Sequence, residues 1–114
     1  MIEIMPVSSK QEQELICARL GVTFRSDSLA YKISKDAHAT GICQFRIYQK
    51  DADIFCLIAE EEELYCYLLR AVMNFCSFNG VLSAHYIGDL SRVEDCIEKL
   101  GFSEKDGIYT SSLT

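Results

Sequence analysis

The sequence predicts an α/β fold of the α+β kind, a mixed and mainly antiparallel sheet flanked by three helices. Three observations carry this. Residues 29–34 and 41–49 alternate apolar and polar side chains with strand period. Leu64, Leu68, Ala71, Val72, Phe75 and Cys76 recur at helical spacing. Beyond them, short strand-like and helix-like runs interleave to the end of the chain. The 114 residues fit one domain spanning positions 1–114.

Residues 2–7 read as a short strand, with Pro6 near its end, where a missing N–H is tolerated. Ser9 and Glu12 have the spacing of a capping box, and Gly21 closes the run, so a helix is expected over about 9–20. Residues 29–34 form the next strand. A turn follows at 35–38, then a strand over 41–49, then a hairpin turn at Lys50, Asp51, Ala52 and Asp53. Residues 54–59 are almost wholly apolar, as in a strand covered on both faces. The three strands make an antiparallel meander.

Four glutamates, Glu60 to Glu63, come next and are expected in the first turn of a helix over 64–78, where negative charge complements the helix dipole. Asn79 and Gly80 end that helix. Residues 81–87 read as an apolar strand and Gly88-Asp89 as a turn. Ser91, three residues before Glu94, is expected to cap a last helix with Val93, Cys96, Ile97 and Leu100 on its apolar face. After Gly101 the chain closes with a strand, a turn at 105–107 and a strand.

Composition excludes several function classes. Net charge is -6, from 11 basic and 17 acidic residues, and no basic patch is visible. Nucleic acids and anionic membranes are therefore poor partners. No apolar stretch approaches the roughly 20 residues of a membrane-spanning helix. The six cysteines (17, 43, 56, 66, 76 and 96) include no C-x-x-C pair. They read as buried free thiols, with no metal site, in a cytoplasmic protein.

The order β, α, β-β-β, α, β, α, β, together with Lys99-Leu100-Gly101-Phe102, resembles the GNAT superfamily of N-acyltransferases over about residues 2–113. The resemblance implies acetyl-CoA as cofactor and a cleft beside the third meander strand, 54–59. There the backbone of Leu57, Ile58 and Ala59 would pair with a pantetheine-like arm, or with a small molecule or peptide. It also exposes three departures. The family's glycine-containing diphosphate loop is replaced by Glu60-Glu61-Glu62-Glu63-Leu64, without glycine or a basic residue. Ile97 stands where many members carry a tyrosine acid, and Phe55 where many carry a glutamate base.

The remaining catalytic candidates are His85, Tyr86 and Tyr109. His85 is the one histidine inside an apolar strand, and it reads either as an acid–base group or as a packed strand residue. His38 reads as a solvated turn residue. Tyr65, Tyr67 and Tyr86 either line a cleft or pack in the core. Cys56, near the cleft strand and the glutamates, reads as inert. Three functions stay open. One is a GNAT-fold, acetyltransferase-like protein whose acetyl-CoA site is degenerate and which serves as a binding or regulatory module. Another is an active divergent N-acyltransferase. The third is a structural subunit that forms a homodimer at a sheet edge.

Overall fold

The computed structural model describes residues 1–113. The elements, in chain order, are β1 (Ile2–Pro6), α1 (Lys10–Leu20), β2 (Leu29–Lys35), β3 (His38–Tyr48), β4 (Asp51–Ala59), α2 (Leu64–Phe78), β5 (Ser83–Tyr86), α3 (Glu94–Lys99), β6 (Ser103–Lys105) and β7 (Ile108–Ser112). The strands form one seven-stranded sheet in the order β1-β2-β3-β4-β5-β7-β6. Every neighbouring pair is antiparallel except β4 and β5. Those two are joined through α2, as a parallel crossover requires.

Each face of the sheet buries its own cluster. On one face α2 and α3 cover Ile33, Cys43, Phe45, Ile54, Leu57 and Ala59. On the other, Ile16 and Cys17 of α1 pack over Ala30 and Ile42, with Cys56 and Ile58 alongside. Adjacent residues of one strand, such as Ile42 and Cys43, therefore serve opposite cores, as strand pleating dictates. Among the described residues, no helix is long and apolar enough to cross a membrane. All six cysteines are free.

The ends of α1 follow the expected chemistry with one change. Ser9 adopts an extended backbone and its hydroxyl accepts the Glu12 N–H at 3.1 Å, while Gly21 ends the helix at φ 74°. The Glu12 carboxylate does not close a box on Ser9. It accepts from the Ser8 N–H at 2.9 Å and pairs with Lys32 at 2.6 Å.

Three expectations are corrected. The β3–β4 hairpin turns at Gln49 and Lys50, with Gln49 at φ 57°, and not at 50–53. Asp51 and Asp53 are strand residues that point away from the α2 core, while Ala52 and Ile54 are buried in it. Arg46 on the neighbouring strand pairs with Asp53 at 3.6 Å. The glutamates precede α2 and do not form its first turn. Ser91 does not cap α3; its N–H and hydroxyl both donate to the Asp89 carboxylate at 3.0 Å, and the helix begins only at Glu94.

Candidate functional site

The cleft arises where β4 and β5 part. Their pairing runs from Asp51↔Ser83 to Ile54↔Tyr86, and the last bond is from the Ile87 N–H to the Ile54 carbonyl at 3.0 Å. Register against β3 then slips by one residue: Phe45 faces Ile54 and Gln44 faces Cys56, which leaves Phe55 as the extra residue of a bulge. The β5 chain departs at Gly88, which presses on this bulge. A Cβ there would lie 2.6 Å from the Phe55 carbonyl oxygen and 3.0 Å from the Tyr86 hydroxyl. Only glycine lets the backbones approach this closely.

Beyond the bulge β4 keeps β3 on one side, with Cys43↔Leu57, Ile42↔Ile58 and Gly41↔Ala59, and has no strand on the other among the described residues. That open edge borders a cavity of about 560 Å3. Phe55 to Ile58 form its floor, the loop after α1 forms one wall, and Tyr65, Tyr86, Asp89, Ser91, Arg92 and Val93 form the other. The cavity thus passes through the gap in the sheet from the α1 face to the α2 face.

A buried polar network holds the first wall. Gln44, fully buried on β3, accepts the Arg25 N–H at 2.9 Å and donates to the Thr23 carbonyl at 2.8 Å. Its carbonyl oxygen also accepts from the Gln13 amide at 2.8 Å. Gln13 further donates to the Ser28 hydroxyl at 3.0 Å. These bonds supply partners for backbone groups of a partly buried loop. Arg25 then stacks over the Phe55 ring at 3.8 Å and bonds Asp27, which also pairs with Arg46 at 3.2 Å. The Arg25 guanidinium holds the Asp27 carboxyl below its usual range.

The sequence-predicted residues divide. Leu57 and Ile58 line the cavity, and Ala59 lines the adjoining hollow of about 340 Å3 with Glu60, Glu62, Tyr65 and Arg92. Tyr86 lines the cavity too; its hydroxyl donates to the Asp89 carbonyl at 2.7 Å, and burial drives its ionisation far up. It is a neutral phenol already engaged as a donor. His85 lies on the opposite face of β5, outside the cavity. Its Nδ1 is 3.0 Å from the Thr110 hydroxyl, and its Nε2 is 3.5 Å from both Asp51 and Ser83. Asp51 and Ser83 share one ring nitrogen, so the group lacks the relay order of a nucleophilic triad. Tyr109, opposite Tyr86 on β7, also does not line the cavity. Desolvation, and then the charges of Glu94, Glu98 and Glu104, push its phenol up.

Ile97 is a fully buried core residue and Phe55 an aromatic floor, so neither supplies acid or base chemistry. Cys56 lines the cavity, and burial pushes its thiol up to about 11, which makes it a poor nucleophile at neutral pH. Tyr67 is exposed outside this cavity, and His38 is exposed at the start of β3. Sequence reading missed Arg25, Arg92 and the two glutamines. The available signal was Gln44, a polar residue inside a buried strand run, which demands a partner.

The start of α2 decides the anion chemistry. The Leu64 N–H bonds the Glu61 carbonyl at 3.0 Å, and the Tyr65 N–H bonds the Glu62 carbonyl at 3.3 Å. Two of the amides at this helix start are thereby occupied. Glu61 is drawn off to Lys35 at 3.0 Å, while Glu60 and Glu62 border the hollow beside Ala59. The β4 edge beyond the bulge is thus open, while carboxylates and two engaged amides mark the α2 start.

No protein-family model matches the sequence, and no curated protein matches it. Solved structures do. The chain is similar to the ribosomal-protein-S18-alanine N-acetyltransferase of Escherichia coli, at 12% identity and TM-score 0.82, covering 100% of this chain and 95% of that one. It is similar to an acetyltransferase of the GNAT family from Staphylococcus aureus Mu50, at 11% identity and TM-score 0.74, over 100% of both chains. It is also similar to the PaiA N-acetyltransferase of Thermoplasma acidophilum, solved in complex with coenzyme A, at 17% identity and TM-score 0.66, covering 90% of this chain and 69% of that one. The fold is that of the GNAT acetyltransferases.

Proposed function

We propose that this is a GNAT-fold, acetyltransferase-like protein that keeps the cleft beside β4 while its acetyl-CoA diphosphate site is degenerate, so that classical N-acetyltransferase activity is weak or absent. The observation that carries this is the start of α2, where the Leu64 and Tyr65 amides bond back to the glutamate turn and the Glu60 and Glu62 carboxylates face the adjoining hollow. Bringing a diphosphate there sets like charges against each other, with the Leu64 and Tyr65 amides already bonded. The retained cleft serves as a binding site for a small molecule or peptide whose main chain pairs with residues 57–59.

Arg92 favours a second reading. It is exposed and borders both the cavity and the hollow beside Ala59. A guanidinium there takes a phosphate without loop amides, leaving an active divergent N-acyltransferase. Calorimetric titration with acetyl-CoA at modest salt separates the two. No saturable heat up to millimolar ligand is expected. Micromolar binding that Arg92→Ala weakens would overturn the degenerate-site reading in favour of the second.

A further inference from the structure

A further hollow, of about 280 Å3, opens where β1 leaves β2. The pairing of those strands ends at Pro6↔Tyr31, and the Val7 N–H bonds the Ala30 carbonyl at 2.9 Å. Three rings line the hollow. Tyr31 and Phe75 lie 5.6 Å apart by centroid, and Phe45 lies 6.2 Å from the first and 5.9 Å from the second. Phe45 is fully buried, Tyr31 and Phe75 are half-buried, and Leu29, which also lines the hollow, is exposed. This space shares no lining residue with the cleft beside β4. One hydrogen bond joins their walls, from Gln13 on this side to Gln44 on the other at 2.8 Å.

The polar groups of the hollow suit a negative charge. Among the described residues, Lys10 is the only charged one on its walls. The Lys10 ammonium donates to the Gln13 side-chain carbonyl at 3.1 Å and to the Ser28 carbonyl, both neutral acceptors. No carboxylate pairs with it among the described residues. An ammonium has three donors, so one is left for a ligand. The Tyr31 hydroxyl has no hydrogen-bond partner among the described residues either. Desolvation pushes its phenol up, so it meets an anion as a neutral donor. The cleft and the hollow beside Ala59 both carry carboxylates, Asp89 in one and Glu60 and Glu62 in the other. In a chain of net charge -6, a hollow with a cation and no carboxylate stands apart.

We propose that this hollow binds a small aromatic carboxylate, with its ring among Tyr31, Phe75 and Leu29 and its carboxylate on the Lys10 ammonium and the Tyr31 hydroxyl. The size agrees: an apolar cavity of about 150 Å3 takes benzene, and 280 Å3 holds one ring with a short acidic arm. The ring meets Tyr31 and Phe75 in tilted contacts like the one those two already make with each other. The carboxylate sets its orientation, because a charge-assisted bond beside apolar walls is stronger than the same bond in bulk water. A cation in its place meets Lys10 as a like charge.

The test is to titrate isotope-labelled protein with phenylacetate and follow the side-chain resonances of Leu29, Tyr31 and Phe75 by NMR. Saturable shifts with a dissociation constant of about 1 mM or tighter are expected. Benzylamine, the same ring with a cation, is expected to bind at least about tenfold more weakly, as is acetate, the carboxylate without a ring. Lys10→Met should weaken phenylacetate binding about tenfold, while Lys10→Arg, which keeps the charge, should stay within about threefold of the parent. Absence of saturable shifts up to about 10 mM phenylacetate would overturn the proposal. So would equal binding of benzylamine, unchanged affinity in Lys10→Met, or shifts confined to residues 55–58 of the cleft.

Discussion

Replacing Gln44 by methionine, close in size and unable to hydrogen-bond, isolates the network that holds the cleft wall. Three bonds are lost: to the Thr23 carbonyl, from the Arg25 N–H and from the Gln13 amide. Thr23 and Arg25 sit in a partly buried loop, so each orphaned group costs at the low end of the range for unsatisfied polar groups, about 1 kcal/mol. Gln13 keeps bonds to Ser28 and to the Arg25 carbonyl, so its loss is about another 1 kcal/mol. The expected destabilisation is about 3 kcal/mol, a large share of a small domain's stability. Urea unfolding followed by circular dichroism measures it. In a double-mutant cycle with Gln13→Met the two changes are expected to be coupled by about 1 kcal/mol, because either substitution alone already removes the bond between the two side chains. A Gln44→Met variant within about 0.5 kcal/mol of the parent would refute the reasoning. Strict additivity with Gln13→Met would refute the direct bond between them.

Three further outcomes are expected. Gly88→Ala places a methyl group against the Phe55 carbonyl and the Tyr86 hydroxyl, and overpacking of this kind costs about 1–3 kcal/mol; unchanged urea stability would contradict the close approach. The double variant Glu60→Arg, Glu62→Gly removes both carboxylates beside Ala59 and adds a cation, and should bring acetyl-CoA binding into the calorimetric range, whereas continued silence would show that charge is not the obstacle. Burial raises Cys56 and Cys76 from an ordinary 9.0 to about 11. Both thiols then hold their protons longer folded than unfolded, so their contribution to stability is complete below about pH 9 and is lost as pH rises towards 11. Unfolding free energy should fall across that window, less steeply in Cys56→Ala, and an identical slope in the variant would remove Cys56 from the account.

Much of the fold was legible in local pattern. The apolar repeat from Leu64 to Cys76 sets α2 at Leu64–Phe78, the bounds read from the sequence. Ser9 and Gly21 act at the ends of α1 as their chemistry requires. The hairpin at Gln49-Lys50 was misplaced because aspartates are poor strand formers. Their tolerance at 51 and 53 depends on that stretch of sheet being uncovered, and on Arg46 and Ser83 across the neighbouring strands. Ser91 failed as a cap because Asp89, two residues earlier, offered its N–H and hydroxyl a stronger acceptor.

The candidate site was less legible. Leu57 and Ile58 line the cleft and Ala59 the adjoining hollow, but His85 and Tyr86, neighbours in sequence, separate onto opposite faces because strand side chains alternate. Which of them sees the cavity depends on the register of β5 against β4 and β7, a long-range choice that no local window encodes. By itself the sequence determined the elements, the two-sided cover of residues 54–59 and the acidic, glycine-free approach to α2, since these follow from periodicity and residue chemistry. Only the tertiary structure decided where β4 and β5 part and which residues form the two walls of the gap, because each depends on contacts between segments distant in the chain.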